Sequence, residues 1–218
     1  MPHIGGQLRR LLLCLLALFL LIPGTGPRTV PARHGMNDYP GNALRYLSDG
    51  NRIERQRLSP YDPIVKRNAE RTGLDWRLLS AVIRQESLFR ADAVSSRSAK
   101  GLMQLRDVAA VHFGYDPEET DLLDPDTNVR LGARLLADFL AQFRSEGMDE
   151  ENALRFALAA YNCGSGTMKK RREETAAEGG NPNSWADVAA VFARYAPTTP
   201  AYVDSVESTF ARYRKTAD

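Results

Sequence analysis

From Pro60 onward the apolar residues return every three or four positions, and no stretch alternates strictly with period two. A helix brings positions three and four apart onto one face, whereas a strand needs alternation, so this pattern predicts a nearly all-α domain. The breaks between the periodic stretches carry helix punctuation. Asp62 followed by Pro63 reads as an N-cap and first turn, and Gly73 as the stop. Asp75 is expected to cap a second helix running to about Phe89. Asp107 is expected to cap a short one, DVAAVHF, stopped by Gly114. Residues 126–145 hold Val129, Gly132, Leu135, Leu136, Phe139, Leu140 and Phe143 at helical spacing. The small apolar run ENALRFALAAYN suits a buried helix, Ser184 is placed to cap SWADVAAVFARY, and a last helix follows Pro200. MKKRREE, from Met168, reads as a solvated helix face.

The N-terminus is of another kind. Arg9 and Arg10 precede the twelve apolar residues Leu11–Ile22, fewer than the ~20 that span a bilayer comfortably. Residues 1–26 are therefore assigned as a secretory signal, with a retained anchor as the alternative because Pro27 hinders cleavage. Residues 27–59, rich in proline and glycine, read as a linker with one weak helical turn near ALRYL. The folded domain is assigned to residues 60–218. Removing Arg9 and Arg10 with the leader leaves 27 basic and 27 acidic residues. A neutral domain offers no electrostatic case for nucleic acid.

Cysteine and histidine exclude further chemistry. Cys14 lies in the apolar leader, so its loss would leave Cys163 without a partner and no disulfide framework. Cys163 itself reads as a small hydrophobe rather than a reactive thiol. His3, His34 and His112 are scattered, and His112 ends a short helix with no nucleophile motif beside it. No metal and no cofactor are expected.

One residue breaks the apolar pattern. Leu79, Val82 and Ile83 share a helix face, and Glu86 comes next on it. A carboxylate partly removed from water favours its neutral form, with a pKa above the usual ~4.3. A carboxylic acid of that kind can protonate a leaving group, as the splitting of a glycosidic bond demands. The stretch that follows, from Ala93 to Arg106, contains no acid at all. It ends in GLMQL, where Gly101 lets backbone approach closely.

These pieces resemble a known family. ESLF at Glu86, Ser95, GLMQ at Gly101, DPDTNVRLGARLL at Asp124, AYNCG at Ala160 and TTPAYV closing at Thr199, Tyr202 and Val203 occur in the order found in soluble-type lytic transglycosylases. That resemblance covers about residues 60–210. It implies a lysozyme-like (goose-type) helical fold and cleavage of the β-1,4 bond between MurNAc and GlcNAc in peptidoglycan. The resemblance assigns Glu86 as the sole acid/base and Ser87 as a structural hydroxyl. It assigns Ser95, Met103, Gln104, Asn162 and Tyr202 to substrate, Gly101 to support, and Tyr161 to a place beside Glu86 that steadies it. The family continues GLMQ with an apolar residue and then methionine and proline; here Leu105 is followed by Arg106 and Asp107 in place of the last two. Leu135 stands for its tyrosine, Thr198 for its glutamate, and Ser98 where glycine is common.

The missing second acid matters. Glycosidases ordinarily use two carboxylates. In the family the muramic acid's own 6-hydroxyl attacks instead, giving a 1,6-anhydro sugar. Two rivals stay open: a goose-type lysozyme that adds water, for which Asp92 and Asp107 are the nearby second acids, and a non-catalytic peptidoglycan-binding module of an envelope machine. The implied partner is the peptidoglycan glycan strand, met by a monomer in the periplasm or cell envelope. Inner-membrane anchoring and recruitment by an envelope or secretion machine are left open.

Overall fold

A computed structural model describes residues 57–216, all of whose regular structure is helical. The leader, the linker as far as residue 56 and the turn expected at ALRYL lie outside the described residues. The elements are α1 (Asp62–Thr72), α2 (Trp76–Ser87), α3 (Asp107–His112), α4 (Pro125–Ser145), α5 (Glu150–Cys163), α6 (Ser165–Ala177), α7 (Trp185–Tyr195) and α8 (Thr198–Thr216). No helix among them is long and apolar enough to cross a membrane.

Helix α5 is the centre. Its Ala153 and the run Phe156–Ala160 are buried. Small side chains let α4, α8, α6 and α7 close around it. The rings of Phe143, Phe156, Trp185 and Phe192 continue the core from α4 into α7, with successive centroids 5.5, 5.8 and 6.2 Å apart. Helix α8 lies back across α2 and α5. That return matters for function, because it brings residues more than a hundred positions apart in sequence onto the end of α2.

One expected cap, Asp75, holds by the mechanism expected, and two caps that the sequence reading did not name, Asp124 and Asp149, work the same way. The Asp75 carboxylate accepts from the Arg77 N–H at 2.9 Å. Asp124 accepts from Thr127 at 2.8 Å ahead of Pro125, and Asp149 from Asn152 at 2.8 Å. Three others differ. Asp62 is the first helical residue rather than the cap. Its carboxylate reaches backward to the N–H groups of Leu58 and Ser59, both at 2.8 Å, and so fastens the incoming chain. Asp107 also lies inside its helix, and its carboxylate is turned to Lys100 Nζ at 2.9 Å. Ser184 makes no side-chain cap bond. Asn152 Oδ1 takes the Trp185 N–H instead, at 2.7 Å, tying α7 to α5. Helix α2 stops at Ser87, two residues early, and α8 begins at Thr198, ahead of Pro200. The charged face of α6 is solvated except at Arg171, which is buried with its guanidinium stacked over the Tyr195 ring. Cys163 is half-buried against the core.

Between α2 and α3 the chain is extended and tightly folded. Leu88, Phe89, Ser98 and Gln104 are the non-glycine residues with positive φ among the described residues, and all four lie here. Left-handed backbone costs an L-residue about 1–2 kcal/mol. Its confinement to one loop marks a conformation that the surroundings impose. Ser98, at φ 58°, is exposed and its hydroxyl makes no bond to the protein. Ser98→Gly should therefore stabilise the domain by about 0.5–1 kcal/mol, the relief of strain less the added freedom of the unfolded chain. The urea midpoint should rise at unchanged slope.

Candidate active site

The carboxylate of Glu86 sits at the C-terminal end of α2, half-buried, where the helix leaves the core. Below it Leu79, Val82 and Ile83 are fully buried, so the apolar stripe delivers the acid to the rim of the core as the helix spacing required. Ser87 is buried beside it and its hydroxyl donates to the Ile83 carbonyl at 3.2 Å. The chain then turns through Leu88 at φ 54° and Phe89 at φ 61°.

Two tyrosines lie near the glutamate, and Tyr202 is the one whose hydroxyl bonds it. The Tyr202 hydroxyl donates to Glu86 Oε1 at 2.8 Å. Tyr202 is only 6% exposed, so it positions the acid rather than offering a surface to a ligand. This corrects the assignment of Tyr202 to substrate. Tyr161 donates instead to the Met103 carbonyl at 2.8 Å. It is nonetheless near the glutamate: burial first, and the Glu86 charge second, push its phenol well above the ordinary value for tyrosine. Tyr161 therefore stays a neutral donor that pins the loop opposite Glu86.

Residues 93–106 form that loop, folded as three short extended segments side by side. Val94 pairs with Lys100, and Lys100 with Leu105, both antiparallel. Ser95 closes the first turn. Its Oγ accepts from the N–H groups of Ala99 at 3.0 Å and Arg97 at 3.3 Å, leaving the hydroxyl proton to donate. Gln104 holds the second turn. Its Nε2 donates to the carbonyls of Gly101 at 3.0 Å and Ala93 at 3.1 Å, so the amide oxygen is the end left to a ligand. Gly101 has φ 75°, and a Cβ there would lie 2.6 Å from the Leu122 carbonyl and closer still to the Asn128 side chain, so no other residue fits.

Met103 requires a correction. It was assigned to substrate, but it is wholly buried, with its side chain seated on Gly132 of α4, where a Cβ would meet Sδ at 2.5 Å. The tight turn ending at Gln104 drives residue 103 inward; what it contributes to the site is its carbonyl, held by Tyr161. Asn162, next along α5, is half-buried and its Oδ1 accepts from the Thr199 hydroxyl at 3.0 Å, joining α5 to the start of α8.

The residue that sequence reasoning missed is Asn128. It is fully buried on α4. Its Oδ1 accepts from the Met103 N–H at 2.7 Å, and its Nδ2 donates to the carbonyls of Lys100 and Leu122, both at 2.8 Å. One amide thus fixes the loop that faces Glu86. The signal was present: Asn128 lies three and four positions before Leu131 and Gly132, a polar residue on a buried stripe, the same anomaly that singles out Glu86.

A family model described as the transglycosylase SLT domain matches residues 63–183. Membrane-bound lytic murein transglycosylase F of Pseudomonas fluorescens is 38% identical over 134 residues, which are 62% of this chain and 26% of the relative. The protein of the same name from Alcanivorax borkumensis is 36% identical over 163 residues, 75% of this chain and 32% of its own. The chain thus spans about a quarter to a third of the length of these curated relatives. Among solved structures, an inactive mutant of lytic transglycosylase Slt from Pseudomonas aeruginosa is similar with TM-score 0.57 and 28% identity, covering 72% of this chain and 24% of the other. The 70 kDa soluble lytic transglycosylase of Escherichia coli gives 0.54 and 28%, covering 74% and 25%.

Proposed function

The chain belongs to the transglycosylase SLT family, and from that premise we propose that it is a peptidoglycan lytic transglycosylase in which Glu86 is the sole acid/base. The observation that supports this best is one half-buried carboxylate, held through Oε1 by a buried tyrosine and faced by a loop without any acid. Glu86 protonates the glycosidic oxygen between MurNAc and GlcNAc as the bond breaks. The neighbouring N-acetyl carbonyl stabilises the positive anomeric centre. Glu86 then takes the proton from the muramic acid's 6-hydroxyl as that oxygen closes on the anomeric carbon, giving the 1,6-anhydro sugar. The attacking group is already part of the bound sugar, a proximity effect that stands in for a second carboxylate. The Ser95 hydroxyl proton and the Gln104 amide oxygen face the glycan, and Tyr161 and Asn162 hold the walls in place. Of the two candidate second acids, Asp107 is engaged with Lys100 and Asp92 is exposed.

We place the protein in the bacterial cell envelope, where the substrate lies and where the relatives' names put them on a membrane. Digestion of purified sacculi followed by mass spectrometry tests the reaction. Anhydro-muropeptides are the expected products; reducing ends would make it a hydrolase, and binding without release a non-catalytic module.

Tyr202→Phe isolates the tyrosine that holds the acid. The ring and its burial remain while one hydrogen bond to the glutamate is lost, costing the fold about 1 kcal/mol. The carboxylate then wanders from its productive position, and kcat on sacculi should fall about tenfold with KM little changed. An unaltered kcat would show that Tyr202 does not position Glu86.

A further inference from the structure

Arg97 and Arg106 stand apart from the other arginines among the described residues. The others each have a partner for the guanidinium: a carboxylate, an aromatic ring, a phenol, a side-chain amide or hydroxyl, or a backbone carbonyl. The Arg97 and Arg106 guanidinium groups have none among the described residues, and both are exposed. They lie on the loop that carries Ser95 and Gln104, within a stretch that contains no acid.

The strand register brings the two together. Leu105 and Lys100 exchange backbone hydrogen bonds at 2.7 and 3.0 Å, so Arg106 comes beside Ala99 one step further along. Ser95 donates its N–H to the Ala99 carbonyl at 2.9 Å from the other side. Arg97 is in the turn that joins Ser95 to Ala99. Ser95, Arg97 and Arg106 therefore share one end of the three-segment loop. The other end, at residues 101–104, is the one that Tyr161 ties near Glu86. Three residues of extended chain separate the ends, about 10 Å.

A planar guanidinium fork matches a carboxylate with two parallel hydrogen bonds. The peptide stems of peptidoglycan hang from the muramic acid and carry carboxylates. Resting on the lytic reading of Glu86, we infer that Arg97 and Arg106 form a recognition site for stem-peptide carboxylates, so that the enzyme selects peptide-bearing strands over bare glycan. Arg106 occupies the position where the resembled family has methionine, so this preference is a property of this chain's own loop.

The test compares full-length wild type with Arg97→Gln and Arg106→Gln on three preparations: peptide-bearing strands, strands stripped by an amidase, and strands whose stem carboxylates are converted to amides. Each variant should raise KM about tenfold on the first, with kcat unchanged, and behave as wild type on the other two. Wild type itself should lose its preference on the amidated strands. Equal losses on stripped strands, no loss on peptide-bearing ones, or a wild-type preference that survives amidation would each overturn the inference. Both side chains are exposed and unbonded, so urea midpoints should not move. Binding of the Glu86→Gln protein, with and without the arginine changes, to the same three preparations repeats the comparison without turnover. A Glu86→Gln protein that still cleaves would refute the lytic reading and leave this binding comparison standing.

Discussion

Replacing Glu86 by glutamine is expected to lower kcat on purified sacculi by at least about 10³-fold while leaving the domain folded. General acid–base catalysis by one group contributes about 10²–10⁴-fold, and here a single group acts twice, first giving a proton and then taking one. Glutamine keeps the shape and one carbonyl oxygen, so the Tyr202 hydroxyl, 2.8 Å from Oε1, retains an acceptor. It has no acidic proton to donate and no basic oxygen with which to collect one from the 6-hydroxyl. The half-buried position tolerates an amide, so stability should change by less than about 1 kcal/mol. Circular dichroism and the urea midpoint check the fold, and release of anhydro-muropeptides checks the chemistry. A variant that keeps a tenth or more of wild-type turnover would remove Glu86 from the mechanism, and with it the case that one carboxylate suffices.

Periodicity made the helices legible because most of them bury one face against a single core. Leu79, Val82 and Ile83 could be assigned to that core from spacing alone, and the misfit of Glu86 on the same face was visible for the same reason. Gly101 was legible too, since the glycine that opens GLMQ has few uses other than close approach. What could not be read were contacts closed by the return of α8. Nothing in TTPAYV says that its tyrosine meets a glutamate 116 positions earlier. Tyr161, a nearer candidate by motif, took the Met103 carbonyl instead. Met103 was misplaced because its direction depends on the left-handed backbone at Gln104, which pattern reasoning does not predict. Asp62, Asp107 and Ser184 were all plausible caps. Each was drawn off or replaced by a partner that only the folded chain supplies: the Ser59 backbone, Lys100 and Asn152.

Asn128→Ala should be the most destabilising of the polar substitutions, by about 3–5 kcal/mol. The amide is wholly buried and all three of its bonds run to backbone of the loop region. Its removal leaves the Met103 N–H and the Leu122 carbonyl buried without a partner, at about 1–3 kcal/mol each. The Lys100 carbonyl is spared the worst, because it still accepts from the Leu105 N–H at 3.0 Å. A small cavity adds to the cost. Aspartate separates the contributions. It restores an acceptor for Met103 but turns the Nδ2 donor into an oxygen 2.8 Å from two carbonyl oxygens, so Asn128→Asp should be no better than alanine despite its identical shape. Activity should fall with stability, since the same amide holds the carbonyl that Tyr161 grips beside Glu86. At a temperature where both proteins remain folded, Asn128→Ala should still turn over sacculi at least about tenfold more slowly than wild type. If stability drops by less than 1 kcal/mol, or the folded variant keeps full activity, then the loop holds its shape without this clamp, and the placement of Ser95 and Gln104 must come from the loop's own turns.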